Sequence, residues 1–283
     1  MKTYSLLKSY VPDPFKSWCS AMKPHLQILC PFPKRHELNK PVFVIGSSRS
    51  GTTKLARTLA LLPAFKPLVE HPFIRHTAWR IAQTEAFDDI NWKILHKQLI
   101  RLSGVTRRNR IIEKTPANSL LAHFIGLHAK EAIFIHSTRD GRDVALSMLG
   151  HDWIRQQLTK DQPEEFWWKY VDASFRDRWN DLSLVERGLL RWGTFFTRGR
   201  EAQQFEGRYF ELAYESLCHT PEQLIEFVRE HLGVSKLTSA FVNAARAYKP
   251  KSVGRYKTDA HFTKTDQKTF QHIASSIGYR WEK

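Results

Sequence analysis

The sequence has few cysteines, no long apolar run and a deficit of acidic residues. Its three cysteines are an odd number without CxxC spacing, which argues against a disulfide framework or a thiolate zinc site and fits a reducing compartment. Its apolar runs, such as residues 42–45, are far shorter than the roughly 18 residues of a membrane-spanning helix. Lys8, Pro12 and Asp13 interrupt the N-terminal stretch, so no secretory signal is visible. We therefore expect a cytoplasmic protein.

The charge is strongly positive, with 44 Lys and Arg residues against 28 Asp and Glu and a formal net charge of +16. This charge implies an anionic partner, and nucleic acid, membrane lipid, a polyanionic glycan or a phosphorylated cosubstrate would each satisfy it. Hydrophobic residues make up 42% and charged residues 25%, which is ordinary for a packed protein and excludes disordered or collagen-like classes.

Short β-branched or aromatic runs alternate with stretches of helical spacing after a proline-punctuated entry segment. Buried strands that alternate with helices are typical of parallel βαβ units. We predict an N-terminal extension over residues 1–40 and one α/β domain over residues 41–283, with a parallel central sheet flanked by helices and a ligand at the carboxyl ends of the strands. A further helix is predicted from Thr220 as N-cap to a stop at Gly233. The predicted strands cover residues 42–45, 111–112, 132–135 and 209–212, and the predicted helices 53–62, 118–129, 144–149 and 183–204.

A glycine- and serine-rich turn follows the first predicted strand. The small side chains of residues 50–53 let backbone N–H groups close around an oxyanion, and the start of the next helix adds its positive dipole. Gly46 and Gly51 have the glycine spacing of a P-loop, but Thr52 stands where the Walker lysine would be and Arg49 precedes the second glycine. The pattern predicts a phosphate-binding turn that differs from that of NTPases. A bare strand-turn-helix without a ligand is the alternative.

A second polar loop with arginines follows the strand at residues 132–135. Arg139 can donate two hydrogen bonds to a phosphate, and Ser147, one turn into the next helix beyond Asp143, could share it. The alternative is a solvated network in which Arg139 and Arg142 pair with Asp140 and Asp143.

Together these two segments resemble a known family. The Arg49-Ser-Gly-Thr-Thr53 loop is similar to the 5′-phosphosulfate loop of sulfotransferases that use 3′-phosphoadenosine 5′-phosphosulfate (PAPS), and Arg139 with Ser147 resembles their 3′-phosphate motif. The resemblance implies a P-loop NTPase-like sulfotransferase fold, PAPS as cosubstrate, adenosine 3′,5′-bisphosphate (PAP) as product and no metal. Many members have Pro in place of Ser48, and the cytosolic branch has Lys in place of Arg49.

Further matches extend this resemblance toward the C-terminus. Glu113-Lys114-Thr-Pro is similar to the lysine-containing strand end of the Arg-Ser-Gly-Thr-Thr branch, which includes tyrosylprotein and several carbohydrate sulfotransferases. Residues 209–217 resemble the strand whose tyrosine, here Tyr214, lies near the adenine, and residues 252–257 resemble the basic loop that closes over the nucleotide. The resemblance implies these nucleotide-binding residues: Arg49, Ser50, Gly51, Thr52, Thr53, Arg139, Ser147, Tyr214, Ser252, Gly254 and Arg255.

Sulfuryl transfer to an alcohol requires cations on the transferred group and the leaving oxygen, together with a base for the acceptor proton. Arg49 and Lys114 suit the cation roles. Glu70, after the first helix and a proline-rich turn, occupies the place of the catalytic carboxylate in the resembling branch, and we predict that it is the base. His71 is the second candidate, because histidine titrates near neutrality and serves as base in the cytosolic branch. A hydrogen-bonded loop residue is the alternative for each.

Five tryptophans between His151 and Trp192 mark the predicted acceptor region. Aromatic faces can stack on sugar rings or form a slot for a lipid or phenol, whereas helix packing onto the sheet is the alternative. They are Trp153, Trp167, Trp168, Trp179 and Trp192.

The leading hypothesis is a PAPS-dependent sulfotransferase that acts on a hydroxyl group of a glycan, lipid or phenol. A P-loop kinase-type phosphotransferase is the alternative, although the sequence lacks the Walker lysine and a magnesium carboxylate. A basic nucleic-acid-binding protein accounts for the charge but not for two spaced phosphate loops, so we expect no nucleic-acid partner. A basic surface could hold the protein on anionic membranes.

Overall fold

A computed structural model describes residues 38–104, 110–161 and 167–281 of the chain. The predicted N-terminal extension lies outside the described residues except for residues 38–40.

The described residues contain a sheet of five parallel strands. The strands are β1 Val42–Ile45, β2 Phe65–Val69, β3 Arg110–Lys114, β4 Ile133–Thr138 and β5 Tyr209–Ala213. Their order across the sheet is β2-β3-β1-β4-β5, and in β1 Val42 pairs with Ile112 on one side and with Ile133 on the other. Because all strands run the same way, the segments that follow them meet at one edge. The predicted parallel α/β architecture is confirmed.

The strand β2 was not predicted from the sequence. Its residues include Pro67, and the segment before Glu70 was interpreted as a proline-rich turn, which is wrong. Pro67 removes one backbone N–H, and a parallel sheet tolerates this at an edge, where β2 pairs with β3 alone. The carboxyl end of β2, and hence Glu70, lies beside the end of β3.

Helices cover both faces of the sheet. In β1, Phe43 and Ile45 belong to one buried apolar cluster, whereas Val42 and Val44 belong to another on the opposite face. The helices are α1 Thr52–Leu59, α2 Pro72–Thr84, α3 Asp89–Ser103, α4 Ala122–His128, α5 Gly141–Leu149, α6 Asp152–Leu158, α7 Ala173–Arg176, α8 Leu184–Arg200, α9 Tyr214–His219, α10 Glu222–Glu230, α11 Ser239–Arg246 and α12 Lys264–Ser276.

Two predicted helices differ in detail. The helix predicted over residues 118–129 is a 3-10 turn, Pro116–Ser119, followed by α4. The helix predicted with Thr220 as N-cap begins at Glu222, and its N-cap is Pro221 without a side-chain bond. The Gln223 N–H bonds to the Thr220 carbonyl at 3.1 Å, so Thr220 contributes its main chain rather than a capping hydroxyl.

Candidate active site

The predicted phosphate loop connects β1 to α1. Gly51 has φ 91° and lies so close to Tyr214 that a Cβ atom would be 2.6 Å from Cδ2 of the tyrosine ring. Arg49 also adopts a left-handed conformation, with φ 74°, which is unfavourable for a residue with a side chain. The loop therefore stores strain at the residue predicted to bind the sulfuryl group.

Some hydrogen-bond donors of this loop are already bonded within the turn, whereas others have no partner in the helix. The N–H and hydroxyl groups of Ser50 both donate to the Ser47 carbonyl, at 3.2 and 2.6 Å, so Ser50 braces the turn instead of offering its hydroxyl to a ligand. Thr52 and Thr53 open α1, and the first N–H groups of a helix have no partner four residues earlier. These N–H groups and the helix dipole can bind an anion.

Two serines on neighbouring elements hold the loop. Ser119 Oγ accepts from the Gly46 N–H at 2.8 Å and lies 3.1 Å from its carbonyl oxygen. Ser137 Oγ, near the end of β4, donates to the Ser50 carbonyl at 2.8 Å. The loop is therefore fixed from one side by the turn after β3 and from the other by β4.

Arg139 follows β4 and reaches across the site. Its Nη1 donates to the Arg49 carbonyl at 3.0 Å, its Nη2 donates to the Ser252 carbonyl, and its guanidinium lies 4.7 Å from the centre of the Tyr214 ring. Its Nε is buried and has no hydrogen-bond partner within the described parts of the chain. A buried donor without a partner is costly, and an anionic ligand would satisfy it.

Ser147 lies at the phosphate loop rather than at Arg139. Its Oγ accepts from Arg49 Nε at 3.0 Å. Burial, and next the charge of Arg139, lower the pKa of Arg49. The predicted pair of Arg139 and Ser147 is thus joined through Arg49, and an anion between the two arginines would relieve their repulsion.

The alternative of a solvated loop network holds only in part. Arg142 pairs with Asp140 at 2.7 Å. Arg139 instead donates to main-chain carbonyls, and Asp143 accepts from a distant loop.

Lys114 and Glu70 form an ion pair at the ends of β3 and β2. The Lys114 side chain is 3% exposed and donates to Glu70 Oε1, whereas the Glu70 side chain is 40% exposed. Glu70 has φ 51°, and its N–H bonds to the Lys114 carbonyl at 2.7 Å. The pair leaves Glu70 Oε2 without a hydrogen-bond partner in the described structure. The predicted base and the predicted cation therefore touch each other.

Glu113, to which the sequence assigned no role, lies fully buried beside Lys114 in β3. Thr115 Oγ1 donates to its Oε1 at 2.6 Å, and Asn118 Nδ2 donates to its Oε2. Burial raises the pKa of Glu113 to about 8. Asn118 belongs to the same turn as Ser119, so Glu113 braces the turn that contacts Gly46. Its position next to Lys114 in a buried strand was the available signal.

His71 follows Glu70 and is the N-cap residue of α2. Its ring centre lies 5.7 Å from that of Phe73, and burial lowers the pKa of His71. A lowered pKa keeps the imidazole neutral at physiological pH, so His71 stays a candidate base.

The C-terminal candidates divide into two groups. Tyr214 is the first residue of α9 rather than part of a strand, because β5 ends at Ala213. Its hydroxyl bonds to Ser252 Oγ at 3.0 Å, which places Ser252 at the site. Arg255 is half exposed and pairs with Asp259 at 3.7 Å.

The tryptophans mostly serve packing. Trp167, Trp179 and Trp192 are at most 2% exposed, which contradicts their prediction as acceptor contacts. Trp192 Nε1 donates to the Arg139 carbonyl at 3.1 Å and so supports the site from the core. Trp153 is 40% exposed and lies 6.0 Å, ring centre to ring centre, from Trp79.

Lys54, the lysine after the phosphate loop, leans away from it. Its Nζ donates to the Ala247 carbonyl at 2.8 Å and lies 3.8 Å from the centre of the Tyr248 ring. It therefore does not occupy the position of a Walker lysine.

Fold and site define an α/β protein in which cationic side chains lie at the carboxyl ends of β1, β3 and β4, and the loop after β1 is strained at Arg49. The Sulfotransferase family model matches residues 41–239, and the chain belongs to this family.

Solved structures with the same fold are distant in sequence. The sulfotransferase domain of the Synechococcus PCC 7002 olefin synthase is 14% identical, with a TM-score of 0.51 over 89% of this chain and 99% of that chain. The sulfotransferase STF9 from Mycobacterium avium is 15% identical, with a TM-score of 0.53 over 92% of this chain and 80% of that chain. A sulfotransferase from Alicyclobacillus acidocaldarius is 16% identical, with a TM-score of 0.51 over 86% and 98%. No curated protein sequence matches the chain.

Across residues 38–104, 110–161 and 167–281, no helix has both the length and the apolar character that crossing a bilayer would require.

Proposed function

We propose that the protein transfers the sulfuryl group of PAPS to a hydroxyl group of an acceptor by in-line displacement. The observation that carries this proposal is that Arg49, the Lys114–Glu70 pair and Arg139 all follow or end strands at the carboxyl end of one parallel sheet. These groups supply two phosphate-binding cations, a cation for the leaving oxygen and a proton acceptor, which are the requirements of sulfuryl transfer.

The residues present fit PAPS. The α1 N–H groups and Arg49 would hold its 5′-phosphosulfate, and Arg139 would hold its 3′-phosphate, while Ser147, whose Oγ accepts from Arg49 Nε, would position Arg49 between the two. The orphaned Arg139 Nε, a buried donor that an anion would satisfy, supports this assignment. When bound, PAPS supplies an activated sulfuryl group on a phosphate leaving group.

The protein's own residues would divide the remaining work. Glu70 Oε2 would accept the proton of the acceptor hydroxyl, since Oε1 is already held by Lys114. The Lys114 ammonium would stabilise negative charge on the leaving phosphate oxygen. The strained φ of Glu70 fixes its side chain where the two parallel strands end.

The kinase alternative loses support from the position of Lys54, which bonds to the α11 side of the molecule. The acceptor class, glycan, lipid or phenol, stays a prediction, as do the cytoplasmic location and the attachment to anionic membranes.

Calorimetry with PAP in EDTA tests the donor site. We expect metal-independent binding, and Arg139→Ala should weaken it by about 10- to 150-fold, because a hydrogen bond between charged groups contributes roughly 1.5–3 kcal/mol. A heat of binding that appears only with ATP and Mg²⁺ would favour the kinase alternative.

Arg208→Ala is a matched control. Arg208 also donates to two main-chain carbonyls, at 2.9 and 3.4 Å, and also lies 4.7 Å from an aromatic ring centre, but it precedes β5 instead of following β4. An equal loss of PAP affinity in both variants would contradict the assignment of Arg139.

A further inference from the structure

The loop at residues 252–257 lies against the start of α5. With the two residues before it, it forms a segment of two short turns, Pro250–Ser252 and Arg255–Lys257, joined through Gly254 in a left-handed conformation with φ 73°. Three basic residues, Lys251, Arg255 and Lys257, make this segment cationic. Two further arginines lie beside it, Arg142 in α5 and Arg139 between β4 and α5. Repulsion between these positive charges opposes the contact between the loop and α5.

Asp143 holds this loop by its backbone. Its Oδ2 accepts from the Gly254 N–H at 2.6 Å, and its Oδ1 accepts from the Tyr256 N–H at 3.2 Å. The Asp143 residue is 1% exposed, so water competes little for these charge-assisted bonds. Both carboxylate oxygens are therefore used on one turn of the loop.

The arginines beside Asp143 contact the same loop. Arg139 donates to the Ser252 carbonyl, and the Arg142 guanidinium lies 3.8 Å from the centre of the Tyr256 ring. Asp140 neutralises Arg142, and Asp259 faces Arg255. Asp143 supplies the negative charge at the Gly254 end, where the loop also approaches Arg139.

We propose that Asp143 is a positioning residue that holds the 252–257 loop over the nucleotide site before the nucleotide binds. This inference rests on the proposed function, since the loop contributes Ser252 to the site. A loop already held in its bound position need not be ordered by the ligand, so affinity is higher. Asp143 itself would not touch the nucleotide or the reacting atoms.

Limited trypsin digestion tests, without any ligand, whether Asp143 holds the 252–257 loop in place. Trypsin cleaves after Lys and Arg, and mass spectrometry can quantify cleavage after Lys251, Arg255 and Lys257. We expect Asp143→Ala to raise the cleavage rate at these sites about tenfold, because local release exposes the backbone. Asp143→Asn keeps one carbonyl acceptor and should give an intermediate rate.

PAP binding tests whether holding the 252–257 loop in place raises nucleotide affinity. We expect Asp143→Ala to weaken PAP binding by about 10- to 100-fold, corresponding to one or two lost charge-assisted bonds. The turnover rate at saturating PAPS should stay near that of the unmodified protein. A higher KM with unchanged kcat separates positioning from a role in the chemical step.

Asp266→Asn is the matched control. Asp266 is also fully buried and accepts the Thr263 N–H at 2.7 Å, but it caps α12. It should lower stability without changing loop cleavage or PAP affinity. If Asp143→Ala and Asp143→Asn leave loop cleavage unchanged, or release the loop without weakening PAP binding, the inference is wrong. If the unmodified protein binds no PAP, the proposed function fails, while trypsin digestion still decides whether Asp143 holds the loop in place.

Discussion

The ion pair between Glu70 and Lys114 allows a sharp prediction about Glu70→Gln. Glutamine keeps the shape of the side chain and an oxygen that can accept from Lys114, but it cannot accept the proton of an acceptor hydroxyl. The change therefore removes the base and leaves the nucleotide loop intact. We expect PAP binding to be preserved or strengthened, because the positive charge of Lys114 is no longer neutralised by a carboxylate and attracts phosphate oxygens more strongly.

The expected magnitudes differ between activity and stability. Turnover should fall by about 10²- to 10⁴-fold, the usual contribution of a positioned general base. Removing one partner of a fully buried ion pair costs about 3–5 kcal/mol. Here Glu70 is 40% exposed and glutamine still accepts a hydrogen bond, so we expect a loss of only about 1–2 kcal/mol in the free energy of unfolding.

The assay needs an acceptor, which screening of glycans, phenols and lipids with labelled PAPS should supply. Single-turnover rates, PAP affinity by calorimetry and urea unfolding are then compared for both proteins. Glu85→Gln is the matched control, because Glu85 has the same φ of 51° and pairs with Lys169 at 3.0 Å at the far end of α2. It should leave turnover unchanged.

Full activity of Glu70→Gln would refute the assignment of the base. If His71→Ala then abolished turnover in a folded protein, the base would be His71. Loss of PAP binding in Glu70→Gln would instead mean that the carboxylate organises the site.

Two further predictions concern pH. The pKa of Glu113 is about 8 in the folded protein, against an ordinary value of 4.5 that applies to the unfolded chain. Between these pH values the folded state keeps a proton that the unfolded state has lost, so the free energy of unfolding falls as pH rises from 4.5 to 8. Urea unfolding at pH 5.5 and 7.5 should show that Glu113→Gln removes up to about 2–3 kcal/mol of this fall, and an unchanged slope would contradict it. His136 is fully buried with its pKa lowered to about 4 from 6.5, so stability falls as pH drops through that window, and His136→Gln should flatten the decline between pH 6.5 and 4.5. An equal decline in both proteins would count against a neutral buried His136.

Short-range features could be predicted from the sequence. The predicted phosphate loop is contiguous, and its small residues, its glycines and Arg49 follow an apolar strand, so local patterning suffices to predict it. Parallel strands were predictable because β1 and β4 are short apolar runs separated by helical spacing. The edge strand β2 was not predicted because Pro67 is typical of turns. Only the position of β2 at the sheet edge makes proline acceptable there.

Only the tertiary structure decided which side chains meet. Lys114 and Glu70 are 44 positions apart in the sequence, and Arg49 and Ser147 are 98 apart, so no local pattern specifies either contact. The sheet order places β2 beside β3 and β1 beside β4, which brings each pair together. Burial was equally invisible: three tryptophans predicted to bind an acceptor fill the core. The physical reason is that residue types determine local conformation, whereas strand order and packing determine proximity and solvent exposure.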